Sequence, residues 1–140
     1  MSLKHSVILR TVARGIIPLI VLFAFYIQIH GKISAGGGFQ AGVIMAAAFM
    51  LHALIFGLSE TLKVFPLRWQ KIGACVGVMI YSGIGFLGLI LGGRFLDYDL
   101  LGRTGPEGQF IGIFIVELGI GITVFSVLLM LFCLFAERKK

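Results

Sequence analysis

The sequence predicts an all-α protein: a polytopic membrane helical bundle of four transmembrane helices with both termini cytoplasmic. Three observations carry this. The chain of 140 residues is 59% hydrophobic and only 13% charged, with a mean hydropathy of +1.05, far from the composition of a soluble globular domain. Its apolar residues fall into four long stretches, each near the roughly 17–25 residues that a spanning helix needs. Its basic residues gather in short clusters at the ends of those stretches. The net charge of +6 therefore reads as membrane orientation, with no nucleic-acid partner. Twenty glycines beside thirteen phenylalanines fit helices packed in lipid, where small residues let backbones approach closely. The whole chain, 1–140, reads as a single membrane domain.

The first span covers about 7–30, with Arg10 and Arg14 at the membrane surface and the apolar run GIIPLIVLFAFYIQIH from residue 15. With the helix starting near residue 15, Pro18 lies close to its start, where a missing N–H costs least. A cleaved signal peptide also has a basic start and an apolar run. No small-residue cleavage site precedes Gly31, however, and the next segment is itself membrane-like. Phe23, Phe25 and Tyr26 near the outer end are packing and interface aromatics. The second span is 41–58, the third 72–93 and the fourth 110–136.

Four spans place the N-terminus, the 59–71 loop and the C-terminus on one side. That side carries Lys4, Arg10, Arg14, Lys63, Arg68, Lys71, Arg138, Lys139 and Lys140; the other carries Lys32, Arg94 and Arg103. Nine against three over short loops makes the first side cytoplasmic. Asp97 and Asp99 then lie in the longer outer loop, 94–109.

Helix faces separate packing from chemistry. In the second span Gly42, Ala46, Ala53 and Gly57 share a stripe, and His52 lies about 100° off it. In the fourth, Gly112, Gly119 and Ser126 recur every seven residues with Thr123 between them, a close-packing seam. Glu117 points to nearly the opposite face, and Gly121, one turn on, leaves room for a water or a partner side chain. A carboxylate aimed away from the seam implies a partner helix.

A charged group at the centre of a membrane helix costs roughly 2.5–3.5 kcal/mol on insertion scales, so Glu117 and His52 are the candidate ion-pathway or subunit-interface residues. The seventh-residue position of Glu117 puts it about 10 Å deep, and His52, about eleven residues in, falls near the midplane. A protonated structural glutamate, and a histidine that only hydrogen-bonds between helices, are the plainer readings beside these.

Gly36, Gly37 and Gly38 stand where the first hairpin re-enters the membrane. Glycine alone accepts positive φ without steric cost, so three in a row allow a tight re-entrant path with inward N–H groups; an ordinary flexible loop is the alternative. GGGFQAG lacks the Lys-Ser/Thr of a phosphate-cradling loop and precedes a membrane helix on the wrong side for cytoplasmic nucleotide. Cys75 and Cys133 sit inside spans with no CxxC or His/Cys cluster, and read as packing residues. No catalytic, cofactor or metal site is expected, and an enzyme is the least favoured class.

The strings HGKISAGGGFQAGVIMAAAF (30–49) and VELGIGITVFSVLLMLF (116–132) resemble the B subunit of Mrp-type multisubunit sodium/proton antiporters, the MnhB/MrpB family, over nearly the whole chain. The positions matching its motifs are Gly36, Gly37, Gly38, Phe39, Gln40, Gly42, Glu117, Leu118 and Gly119. Ala35 stands where the family usually has proline. The resemblance implies a small accessory and assembly subunit of a hetero-oligomeric complex in the bacterial inner membrane. That complex exchanges cytoplasmic sodium, or potassium, for external protons. Its partners would be the other subunits and membrane lipid, and it would carry no cofactor. Two alternatives stand beside it: the equivalent subunit of a membrane-bound hydrogenase or related complex, and a small homo-oligomeric ion channel. Against the channel, the chain shows no inverted repeat or pore motif.

Overall fold

A computed structural model describes residues 7–30, 37–90, 92 and 105–138, with side chains described from 112 in the last of these segments. Gly36 and Ala35 of the first hairpin, and Arg94, Asp97, Asp99 and Arg103 of the outer loop, lie outside the described residues. All described secondary structure is helical: α1 (Val7–His30), α2 (Gly38–Phe56), α3 (Leu58–Val64), α4 (Leu67–Ile90) and α5 (Gly105–Arg138). Four are long and apolar enough to cross a membrane, with α5 contributing Gly112–Arg138.

Several boundaries differ from the sequence reading for identifiable reasons. Because α1 starts at Val7, Pro18 is interior rather than near the start. Its missing N–H removes the bond to the Arg14 carbonyl, a loss that membrane helices tolerate. In α2 the first backbone bond runs from Ala41 N–H to the Gly37 carbonyl, 3.0 Å, so the helix begins at Gly38 instead of residue 41. It ends at Phe56 because Gly57 adopts φ 108°, a left-handed conformation that glycine accepts freely. Most of the expected 59–71 loop is α3 and the first turn of α4. The Pro66 carbonyl accepts from the N–H groups of Trp69 and Gln70, which sets α4 going five residues early.

The spans pack in the order α1–α2–α5–α4, and α3 folds back against α2 and α5. The middle helices are the better covered: 33% of the apolar window of α2 and 28% of that of α5 is buried, against 11% for α1 and 17% for α4. The outer helices therefore leave broad apolar faces for lipid or other proteins.

Two close-packed seams hold the row together. Between α4 and α5, a Cβ on Gly73 would meet the Ser126 hydroxyl, and one on Gly77 would meet Thr123 Oγ1 and lie 2.7 Å from the Gly119 carbonyl oxygen. The seam expected on the fourth span is thus real, and Gly73 and Gly77 are its complement. Thr123 satisfies its hydroxyl by donating to the Gly119 carbonyl, 2.9 Å. Lipid offers little hydrophobic drive for helix association, so this intimacy matters: contact and local hydrogen bonds stabilise the pair.

The end of the row near the chain termini is closed by a core of Ala53, Leu58, Leu129 and Cys133. Phe49, Phe65 and Phe125 form an aromatic trio there, with ring centroids 5.3–6.0 Å apart, and such pairs contribute about 0.5–1.5 kcal/mol each beyond burial. Gln70 is fully buried beside them and donates through Nε2 to the Phe65 carbonyl, 3.0 Å. Cys133 is buried in this core, whereas Cys75 is exposed.

Candidate functional site

The first centre forms where the start of α2 lies across α5. A Cβ on Gly38 would fall on the Glu117 carbonyl oxygen, and one on Gly42 would come within 2.7 Å of the Gly121 carbonyl oxygen. Here glycine serves close approach. Gly37 has φ 174°, extended backbone open to any residue, so the positive φ expected of the triple glycine is not found at Gly37 or Gly38. The described positive-φ glycines are Gly57 and Gly92.

This approach brings the Glu117 side chain to the same chain's hairpin. Glu117 Oε1 lies 3.6 Å from where a Cβ of Gly37 would stand. The sequence reading has Glu117 facing a partner helix; within this chain α2 lies against that face of α5 and leaves Glu117 half-buried. The first-turn N–H groups of a helix have no partners within it, and the N-cap residue of α2, Gly37, has no side chain to cap them. The positive end of its dipole is presented to the carboxyl group. Glu117 Oε2 is buried with no hydrogen-bond partner among the described residues.

Gln28 of α1 completes the centre, and the sequence reading passed over it. It is 7% exposed. Its Oε1 lies 2.7 Å from where a Cβ of Gly121 would stand, and the Gly38 carbonyl oxygen is 3.2 Å from that point. The room at Gly121 thus holds a side chain of this chain. Gln28 Nε2 is buried and has no hydrogen-bond partner among the described residues. The signal was present: one amide side chain inside an apolar span demands a reason. Below it, a groove of about 410 Å³ opens between α1, α2 and α5, walled by Ala24, Phe25, Met45 and Phe49, with Gln28 and Gly121 in its lining.

The motif residues Phe39 and Gln40 point the other way. Phe39 is 62% exposed and Gln40 is also exposed, so the hairpin motif has an inward glycine half and an outward half.

The second centre is at the opposite end of α2. His52 Nδ1 is 2.7 Å from Thr61 Oγ1, and the Thr61 hydroxyl lies 3.2 Å from the Gly57 carbonyl oxygen. The ring nitrogen and the hydroxyl hydrogen-bond to one another, with the direction set by the ring's tautomer. The ring also lies 4.8 Å from that of Phe56. Arg10 and Arg14 place their guanidinium carbons 5.4 and 5.8 Å from the Phe56 ring centre, within cation–π range. His52 is fourteen residues beyond Gly38 and one turn from the end of α2, deeper into the helix than expected because α2 starts at Gly38 rather than at residue 41.

At 1.5 Å per residue the two centres are about 21 Å apart along α2, separated by apolar side chains such as Val43, Ala46 and Phe49. His52 and Glu117 do not share a site.

These features meet a known pattern. A family model described as a domain related to the MnhB subunit of Na+/H+ antiporter matches residues 8–130. A Staphylococcus haemolyticus protein named for an antiporter subunit, mnhB2, is 32% identical over 132 residues, covering 89% of this chain and 90% of that one. Its namesake in Staphylococcus epidermidis is 29% identical over the same coverage, and that of Staphylococcus aureus 31% identical over 94 residues, 67% of this chain and 66% of that one. A match across most of both chains, on four apolar helices, shows that the protein is a multi-pass cell-membrane protein and belongs to the family of the MnhB antiporter subunit.

Proposed function

We propose that the chain is an accessory and assembly subunit of a multisubunit antiporter that exchanges cytoplasmic sodium, or potassium, for external protons, and that it performs no enzymatic reaction itself. One observation supports this most. The chain alone is a row of helices whose two polar centres are divided by about 21 Å of apolar helix, while its outer helices and the Phe39/Gln40 half of its hairpin motif stay uncovered. Such a surface suits a protein completed by neighbouring subunits. Glu117 then serves either the ion path or the support of the hairpin.

We place both termini in the cytoplasm. The described starts and ends of the helices put Arg10, Arg14, Lys63, Arg68, Lys71 and Arg138 toward one end of the row, the arrangement that basic residues favour on the cytoplasmic side.

Gentle purification of the tagged chain tests the subunit reading: large antiporter subunits should co-purify, and the pure chain in vesicles should not exchange sodium for protons. Exchange by the pure chain would overturn it, and co-purifying hydrogenase subunits would move it to that type of complex. A cysteine at position 2 or 139 should stay unlabelled by an impermeant reagent on intact cells.

A further inference from the structure

We propose that Gln28 and Glu117 hold a buried water between them at the start of α2, and that this water gives Glu117 its route for exchanging a proton at the hairpin end of the protein. Three elements converge there. Gln28 comes from α1, Gly38 from α2, and Glu117 with Gly121 from α5; a Cβ on Gly121 would lie 2.7 Å from the Gln28 amide oxygen and 3.2 Å from the Gly38 carbonyl oxygen. Glu117 and Gly121 are one turn apart on α5, so their side-chain positions are neighbours.

The unsatisfied atoms select the ligand. Gln28 Nε2 is a donor and Glu117 Oε2 an acceptor, and both are buried without a protein partner among the described residues. A water satisfies both at once, accepting from Nε2 and donating to Oε2. A sodium ion would satisfy the oxygen and leave the amide N–H groups facing a cation. An apolar lipid chain would satisfy neither. Polar surroundings with several partners are also the condition under which buried water is retained, and the first turn of α2, with a glycine at its N-cap, supplies further N–H groups beside the carboxyl group. Gln28 is thus a positioning residue: it acts on Glu117 through the water. The inference deepens the proposed function and rests on it for the transport consequence only.

The test is a density map of the purified complex at a resolution that shows ordered water, with antiport measured across pH in vesicles from the same cells. The expected map has one peak about 2.7–3.2 Å from both Gln28 Nε2 and Glu117 Oε2. A direct Gln28–Glu117 bond, a peak coordinated by oxygens alone at cation distance, or a partner side chain in that place would each overturn the water. Gln28→Leu should keep normal complex yield, lose the peak and displace the pH profile of antiport, with Gln28→Asn partly restoring it. A Gln28→Leu profile that overlays wild type would overturn the proton-exchange role. Co-purification decides the subunit reading separately, so the two can fail independently.

Discussion

His52 and Glu117 lie near opposite ends of the same helix pair, and their surroundings differ in one respect. His52 is held by its own chain: its Nδ1 hydrogen-bonds with the Thr61 hydroxyl, which lies against the Gly57 carbonyl. Glu117 has its backbone carbonyl packed against Gly38, while its side-chain Oε2 is buried without a partner among the described residues. A buried polar group whose hydrogen bonds close locally serves the fold. One held in place by costly close packing and left unsatisfied has a further ligand to meet. The contrast supports the proposal that Glu117 is the functional end of the molecule and His52 a brace for the α2–α3 corner.

The largest expected effect separates two adjacent glycines. Gly38→Val should reduce complex yield by roughly tenfold or more, because overpacking against backbone that cannot swing aside costs about 1–3 kcal/mol or more and forces α2 away from α5. Gly37→Ala should be tolerated, since its Cβ would meet Glu117 Oε1 at 3.6 Å, an ordinary contact. Quantifying the complex in membranes from both mutants decides it. Equal loss in both would mean that the hairpin, rather than the helix contact, sets the need for glycine.

Next is Glu117 itself. Glu117→Gln preserves shape and can both donate and accept. If the carboxyl group ionises during transport, this variant should assemble normally and lose antiport. Glu117→Ala should lose yield as well, by stranding the groups around it at roughly 1–3 kcal/mol. Antiport and complex yield measured on the same everted vesicles separate these. Full activity with Gln would make Glu117 a structural support and dissolve the contrast with His52.

What the sequence disclosed follows the reach of each signal. The four spans were legible because composition alone reports them, and the Gly112/Gly119/Ser126 seam because a heptad of small residues marks one face. The direction of the Glu117 face was legible too, but not what covers it. Covering is a tertiary fact: it depends on α2 starting at Gly38 and crossing α5 there, and no periodicity encodes a crossing point. The α4 half of the seam was present as Gly73 and Gly77, four apart, yet glycine is so common in this chain that spacing alone did not single them out. Helix α3 escaped because seven residues are too few for a period, and its stability comes from burying Leu58 and Thr61 rather than from propensity.

A smaller effect is expected at the satisfied end. Thr61→Val removes the hydroxyl partner of His52 Nδ1 in a nearly isosteric side chain, and a net hydrogen bond is worth about 0.5–1.5 kcal/mol. The complex should melt a few degrees lower with antiport per complex unchanged, and Thr61→Ser should restore it. Loss of antiport without loss of stability would place His52 in the ion path and reverse the comparison.

The smallest effect should come from the exposed pair on α3. Glu60 Oε1 accepts from Lys63 Nζ at 2.9 Å, and both side chains are more than half exposed, at 54% and 72%. The Lys63 hydrogen bond and charge hold the Glu60 carboxyl group below its ordinary value. The sign follows: a depressed acid stabilises the fold above its unfolded pKa, about 4.3, and the contribution is lost as pH falls through that range. Solvent and salt screen so exposed a pair, so Glu60→Gln should leave melting, complex yield and antiport at neutral pH unchanged within error. Only a slight loss of acid sensitivity near pH 4 is expected, measured as melting temperature against pH at low salt. Glu60 is also the acidic residue whose charge His52 feels. If Glu60→Gln abolished antiport while yield held, the α3 corner would be part of the ion path, and the division of labour between the two ends of α2 would fail at the end where it looks most secure.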